Sequence, residues 1–99
     1  MSKFTVRVEP YGQPSGSIYE TLHEAMEKGG FTRKISFEKD GKTTTYWLPN
    51  AEYSIDGTQT PDDIKDKAVI VVKTVWVEFG VLVTKTDVAR SAYNLKKVV

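Results

Sequence analysis

His23, the only histidine, and Glu9 are the side chains in this sequence best suited to acid–base chemistry. Glu9 closes an alternating run, Lys3 to Glu9, just before a stretch rich in Gly, Pro and Ser. A carboxylate placed there could hold a divalent ion or act as the base for attack by a ribose hydroxyl. His23 stands among Glu20, Glu24 and Glu27, where an imidazole serves as a general acid or base or touches a polyanion. The plainer readings are a solvated strand end for Glu9 and a solvated helix residue for His23. One histidine without cysteine cannot build the usual zinc cluster, so neither a metal site nor another cofactor is expected. No Ser/His/acid spacing matches a hydrolase motif. Gly29-Gly30 closes a helix rather than opening one, so it is a cap and not a phosphate loop.

A second constellation is basic and aromatic. Alternation places Thr5, Arg7 and Glu9 on one sheet face, with Lys34 and Ser36, Thr45 and Trp47, and Glu78 and Leu82 from later strands. Cations beside an exposed ring can neutralise and stack single-stranded nucleic acid. Arg7, Arg33, Lys34 and Trp47 are the RNA-binding candidates on that reading. The first strand carries Thr and Arg where the aromatic ribonucleoprotein signature has stacking rings, so that motif is absent. A solvated sheet face or a homodimer interface would look the same. Lys85, Arg90, Lys96 and Lys97 against Asp87 form a second basic group, suited to phosphate contact or to a solubilising terminus.

The elements that must position these residues follow from periodicity and punctuation. In Lys3 to Glu9, Phe4, Val6 and Val8 alternate with polar residues, and Pro10 ends the strand. Ser17 and Glu20 have capping-box spacing for a helix with Ile18, Leu22, Ala25 and Met26 on its apolar stripe. Phe31 to Lys39 and Lys42 to Leu48 flank Asp40-Gly41, a hairpin signal. Glu52 to Asp56 reads as a short extra strand carrying Tyr53 and Ile55. Thr60-Pro61-Asp62-Asp63 starts a second helix that ends near Lys73, with Ile64 and Ala68 inward. A last strand is expected from about Val75 to Thr84, with Val77, Phe79, Val81 and Val83 inward. A short turn of helix is expected at Asp87 to Tyr93.

The resulting order, strand-helix-strand-strand-helix-strand, predicts an α+β domain: a ferredoxin-like βαββαβ sandwich. It would have an antiparallel sheet, both helices on one face, and the extra short strand. The domain is expected over residues 1–84, with 85–99 as a polar, basic tail. Ninety-nine residues suit one core, and a formal charge of +1 leaves no global attraction for polyanions, so any such binding must be local. No apolar run resembles a membrane span or a signal sequence, and the absence of cysteine fits a reducing compartment; a soluble cytoplasmic protein is expected.

The segments Phe4-Thr-Val-Arg-Val-Glu9, Tyr19-Glu-Thr-Leu-His-Glu-Ala-Met26, Gly30-Phe31, Tyr46-Trp-Leu-Pro49-Asn-Ala-Glu-Tyr53 and Gly80-Val-Leu-Val-Thr84 resemble a family of short proteins from enterobacteria and their prophages. That family is grouped with the GhoS antitoxin of a type V toxin-antitoxin system. The resemblance covers about Lys3 to Thr84 and rests on packing motifs. It implies a ferredoxin-like fold akin to small CRISPR-adaptation nucleases, and an endoribonuclease that cleaves a membrane toxin's transcript. Glu9 is the nearest match to the acid that ends the first strand in nuclease-like relatives. The antitoxin's first helix is arginine-rich, whereas the matching positions here, Glu20 to Glu27, set His23 alone among acids. Two functions follow: an RNA-cleaving antitoxin using Glu9 and His23, or a non-catalytic prophage accessory protein binding protein or RNA through its open face.

Overall fold

The computed structural model describes residues 2–86 and 91–98. Its element order is β1 (Ser2–Pro10), α1 (Gly16–Lys28), β2 (Lys34–Lys39), β3 (Lys42–Trp47), β4 (Glu52–Gly57), α2 (Pro61–Lys73) and β5 (Phe79–Lys85). The chain is therefore α+β with antiparallel pairing throughout the named strands. Residues 87–90, half of the helical turn expected at Asp87 to Tyr93, lie outside the described residues.

β1 is the centre of a three-stranded sheet of order β4-β1-β5, while β2 and β3 form a separate hairpin. A single bridge, Thr32 to Ser54, links the start of the hairpin arm to β4. The segment expected as a short extra strand is thus a direct neighbour of β1, pairing Phe4 with Ile55 and Val6 with Tyr53. The physical reason is burial: Tyr53 and Ile55 alternate inward opposite the apolar residues of β1, whereas the hairpin offers mostly polar threonines.

Phe4, Val6 and Val8 pack with Tyr53 and Ile55, with Leu22 and Met26 of α1, and with Ile64, Ala68 and Val72 of α2 in one buried cluster. Each fully buried aliphatic of this kind stabilises the fold by about 1.5–3 kcal/mol relative to exposure. The inward alternation of β1 was legible because strand period and apolar period coincide.

Both helix starts test the capping rules. At α2, Thr60 Oγ1 accepts from the Asp63 N–H at 3.2 Å and Asp63 Oδ2 accepts from the Thr60 N–H at 3.3 Å, a complete capping box with Pro61 at the first turn. At α1 the expected Ser17 box does not form. The helix begins at Gly16 with Ser15 as its N-cap and no side-chain cap, so Ser17 lies inside the first turn and Glu20 is too far along to reach back. The Ser17 hydroxyl instead meets that of Ser15 at 2.8 Å.

α2 ends at Lys73, as its sequence predicts, but the last strand starts later than Val75. The N–H groups of Val75 and Trp76 both donate to the Val72 carbonyl, prolonging the helix end into a turn. Trp76 Nε1 donates to the Tyr11 carbonyl at 2.8 Å, which anchors that turn to the loop after β1. Val77, expected inward, is 85% exposed. Four β-branched or aromatic residues suggested strand there, and the helix-closing hydrogen bonds won.

No helix is long and apolar enough to cross a membrane among the described residues.

Candidate nucleic-acid interface

Asp40 and Gly41 both have positive φ, at 54° and 76°, the arrangement a two-residue hairpin turn requires. The turn fixes the register, setting Lys34 opposite Trp47 and Ser36 opposite Thr45. On that face the Ser36 and Thr45 hydroxyls lie 2.8 Å apart. The Lys34 ammonium sits 5.3 Å from the Trp47 ring centroid. The Arg33 guanidinium carbon lies 5.5 Å from the same ring. Two cations therefore flank one indole that is 37% exposed. On the other hairpin face, Phe37 and Tyr46 pack edge to face.

Arg33 is held by its backbone and its fork. The Leu48 N–H donates to the Arg33 carbonyl at 2.6 Å, and Arg33 Nη2 donates weakly to the Leu48 carbonyl at 3.5 Å. Its Nε–H is buried without an acceptor among the described residues. That orphan donor is sealed from solvent and destabilises the site, while the planar fork keeps the guanidinium suited to a bidentate oxyanion where it is exposed.

The C-terminal segment completes the surface. The Trp47 N–H donates to the Lys96 carbonyl and the Val98 N–H to the Thr45 carbonyl, both at 2.9 Å. Tyr46 and Lys97 form an antiparallel bridge, so residues 96–98 run along β3. Between this segment and the hairpin lies a groove of about 370 Å³ lined by Arg33, Trp47, Pro49, Asn94, Leu95 and Lys96. Thr32 to Leu48 together with Ser91 to Val98 carry six basic and two acidic side chains, although the whole chain has a net charge of only +1. The register divides these cations: Lys39, Lys42 and Lys97 share the Tyr46 face, while Arg33, Lys34 and Lys96 surround Trp47 and could act locally on a polyanion.

Of the residues singled out from sequence, Arg33, Lys34 and Trp47 come together. Arg7 does not join them: it lies on the outer face of the three-stranded sheet, opposite Glu52 on one side and Leu82 on the other. Glu9 is on that outer face too, opposite Gly80 at the far end of β1. His23 belongs to the other side, bonded to a residue that pairs with Val6 on the inner face. Glu9 and His23 therefore lie on opposite faces of the sheet. Among the described residues no group of three or more His, Cys, Asp or Glu side chains is placed to hold a metal ion.

His23 is not a solvated helix residue. Its Nδ1 lies 2.6 Å from the Tyr53 hydroxyl and its Nε2 lies 3.0 Å from Asn50 Oδ1. Burial and then the Arg33 charge hold its pKa below the ordinary 6.5, against smaller opposing effects of Asn50 and Glu20. The neutral imidazole fits this geometry, with Tyr53 donating to Nδ1 and Nε2–H donating to Asn50. Burial also pushes the Tyr53 hydroxyl upward, keeping it a donor. The partners were invisible in sequence because Tyr53 is thirty residues from His23 and Asn50 twenty-seven.

A stability prediction follows from this arrangement. The unfolded chain binds a proton at His23 near pH 6.5, whereas the folded chain resists it to lower pH. Stability from this group is thus full above that range and lost as pH falls through it to the folded pKa. Urea midpoints measured across that range should fall toward acid in the native protein, with a smaller fall after His23→Gln. His23→Ala should cost about 1–3 kcal/mol, because the Tyr53 hydroxyl is left buried without its acceptor. Tyr53→Phe, which strands only a half-exposed imidazole nitrogen, should cost less.

Comparison with protein-family models, with curated proteins and with solved structures finds no match to this chain.

Proposed function

We propose that this protein binds single-stranded RNA through the basic hairpin and the C-terminal segment beside it, without cleaving it by a Glu9–His23 pair. The observation that carries the reading is the Trp47 ring, exposed and set against the Arg33 and Lys34 cations. An indole supplies a stacking face that tolerates any base, and the cations neutralise the phosphates on either side of it. The separation of Glu9 from His23 favours binding over catalysis by that pair.

The strand order supports a ferredoxin-like reading of the domain. β5, β1 and β4 stand in succession, and Thr32 bridges to the open side of β4, where the second strand of such a fold would lie. On this reading β2–β3 is an excursion from that strand, carrying the ligand surface away from the shared core. A relationship to RNA-directed antitoxins would then preserve the ligand class while the chemistry differs.

Titration of a fluorescent oligouridylate of about twelve nucleotides tests the function. Salt-sensitive binding is expected, with the salt dependence reduced by about one phosphate contact in Lys34→Ala and the oligonucleotide intact afterwards. Absence of salt-sensitive binding would remove the proposal. Cleavage lost in Glu9→Ala or His23→Ala would replace it with the catalytic alternative.

A further inference from the structure

His23 and the Trp47 platform share a neighbour. The imidazole reaches Asn50, and Asn50 lies two residues past Leu48, whose N–H and carbonyl both engage Arg33. The same guanidinium stands against Trp47 and exerts its charge on both His23 and Tyr53. A phosphate arriving at Arg33 would oppose the repulsion that Arg33 exerts on an imidazolium at His23, and would add an attraction of its own.

We infer that RNA binding at the Trp47 platform is linked to proton uptake by His23, so that the protein holds RNA more tightly as the medium becomes mildly acidic. The inference rests on the RNA-binding reading above. By reciprocity, whatever RNA does to the protonation of His23, protonation does to the affinity for RNA.

The groups facing His23 set the direction. From its own helix come Tyr19, with ring centroids 6.4 Å apart, and Glu20, which favours the charged form. From β4 comes Tyr53, from the β3–β4 turn comes Asn50, and from the segment after α1 comes Arg33. Glu24 and Glu27 are exposed on the same helix. Among these groups Arg33 is the cation that disfavours the imidazolium, and it is the one a phosphate would neutralise. Protonation makes Nδ1 a donor and costs the Tyr53 hydroxyl its acceptor, a cost that is the same with and without RNA and leaves the direction of the linkage unchanged.

The single histidine makes the test direct, since one imidazole signal in the nuclear magnetic resonance spectrum belongs to His23. Its titration is followed in the full chain with and without an oligouridylate of about twelve nucleotides, whose bases do not titrate between about pH 5 and 8. RNA is expected to move the imidazole midpoint toward higher pH, and affinity at constant ionic strength should rise about fivefold or more between the ends of that range. In His23→Gln the rise should disappear. RNA binding with an unmoved imidazole midpoint, or an equal rise in His23→Gln, would overturn the inference and leave the binding function standing. No RNA binding at either end of the range would overturn both. If His23→Gln fails to fold, the imidazole titration of the unsubstituted protein still decides.

Discussion

Trp47→Ala should weaken binding of the oligouridylate by about tenfold to a hundredfold, the range expected when one base loses its aromatic partner at about 1–3 kcal/mol. The ring lies outside the central buried cluster, so its removal opens no cavity there and should lower the thermal midpoint less than a core truncation would. Trp47→Phe should recover much of the affinity, since a smaller ring still stacks. Charge provides the contrast. Lys34→Ala should lower affinity more at low salt than at high salt, whereas the Trp47→Ala loss should persist at both. Fluorescence anisotropy over a salt series separates the two. Equal affinities for the native protein and Trp47→Ala would mean that the hairpin attracts RNA by charge alone, or that the ligand surface lies elsewhere.

That contrast depends on three residues brought together by different levels of information. Lys34 and Trp47 were paired by local signals: alternation on both arms and the Asp40-Gly41 turn define the cross-strand register. Sequence groups Arg33 with them as an RNA-binding candidate; it is half-buried, and its guanidinium lies against Trp47. The participation of Lys96 depends on the C-terminal segment returning to β3, a pairing over some fifty residues that no local pattern encodes. The same limit explains the sheet. β1 and the stripe of α2 were readable because a period of two or 3.6 coincides with an apolar face. The division into a three-stranded sheet and a separate hairpin was not, because strand partners are chosen by burial across long separations. At Val75 to Glu78, β propensity lost to helix-end hydrogen bonding, as weak local preferences do when backbone groups find partners. His23 was noticed for its chemistry, yet its surroundings came from Tyr53, read from sequence only as a strand residue, and from Asn50, to which sequence gave no role.

Phe31→Ala should destabilise the protein by about 3–5 kcal/mol, a large share of the 5–15 kcal/mol typical of a single domain. Phe31 is almost completely buried in the central cluster and sits where α1 hands the chain to the hairpin. Gly30, at φ +93°, turns the chain there, and the Phe31 N–H returns to the Met26 carbonyl at 2.9 Å, closing the helix end. One residue later Thr32 and Ser54 exchange backbone hydrogen bonds at 2.8 and 2.7 Å, joining the hairpin arm to β4. Truncating the ring therefore removes both core volume and the packing that sets the angle at which Arg33 and Lys34 leave the domain. The Lys67 ammonium, 5.7 Å from the ring centroid, would also lose its partner face. Urea denaturation should report the loss as a lower midpoint with little change in slope. RNA affinity of the remaining folded fraction, measured well below that midpoint, should also fall, because the platform depends on this anchorage. A variant that lost stability but kept full affinity would show that the hairpin holds its ligand surface together through β2, β3 and the C-terminal segment alone.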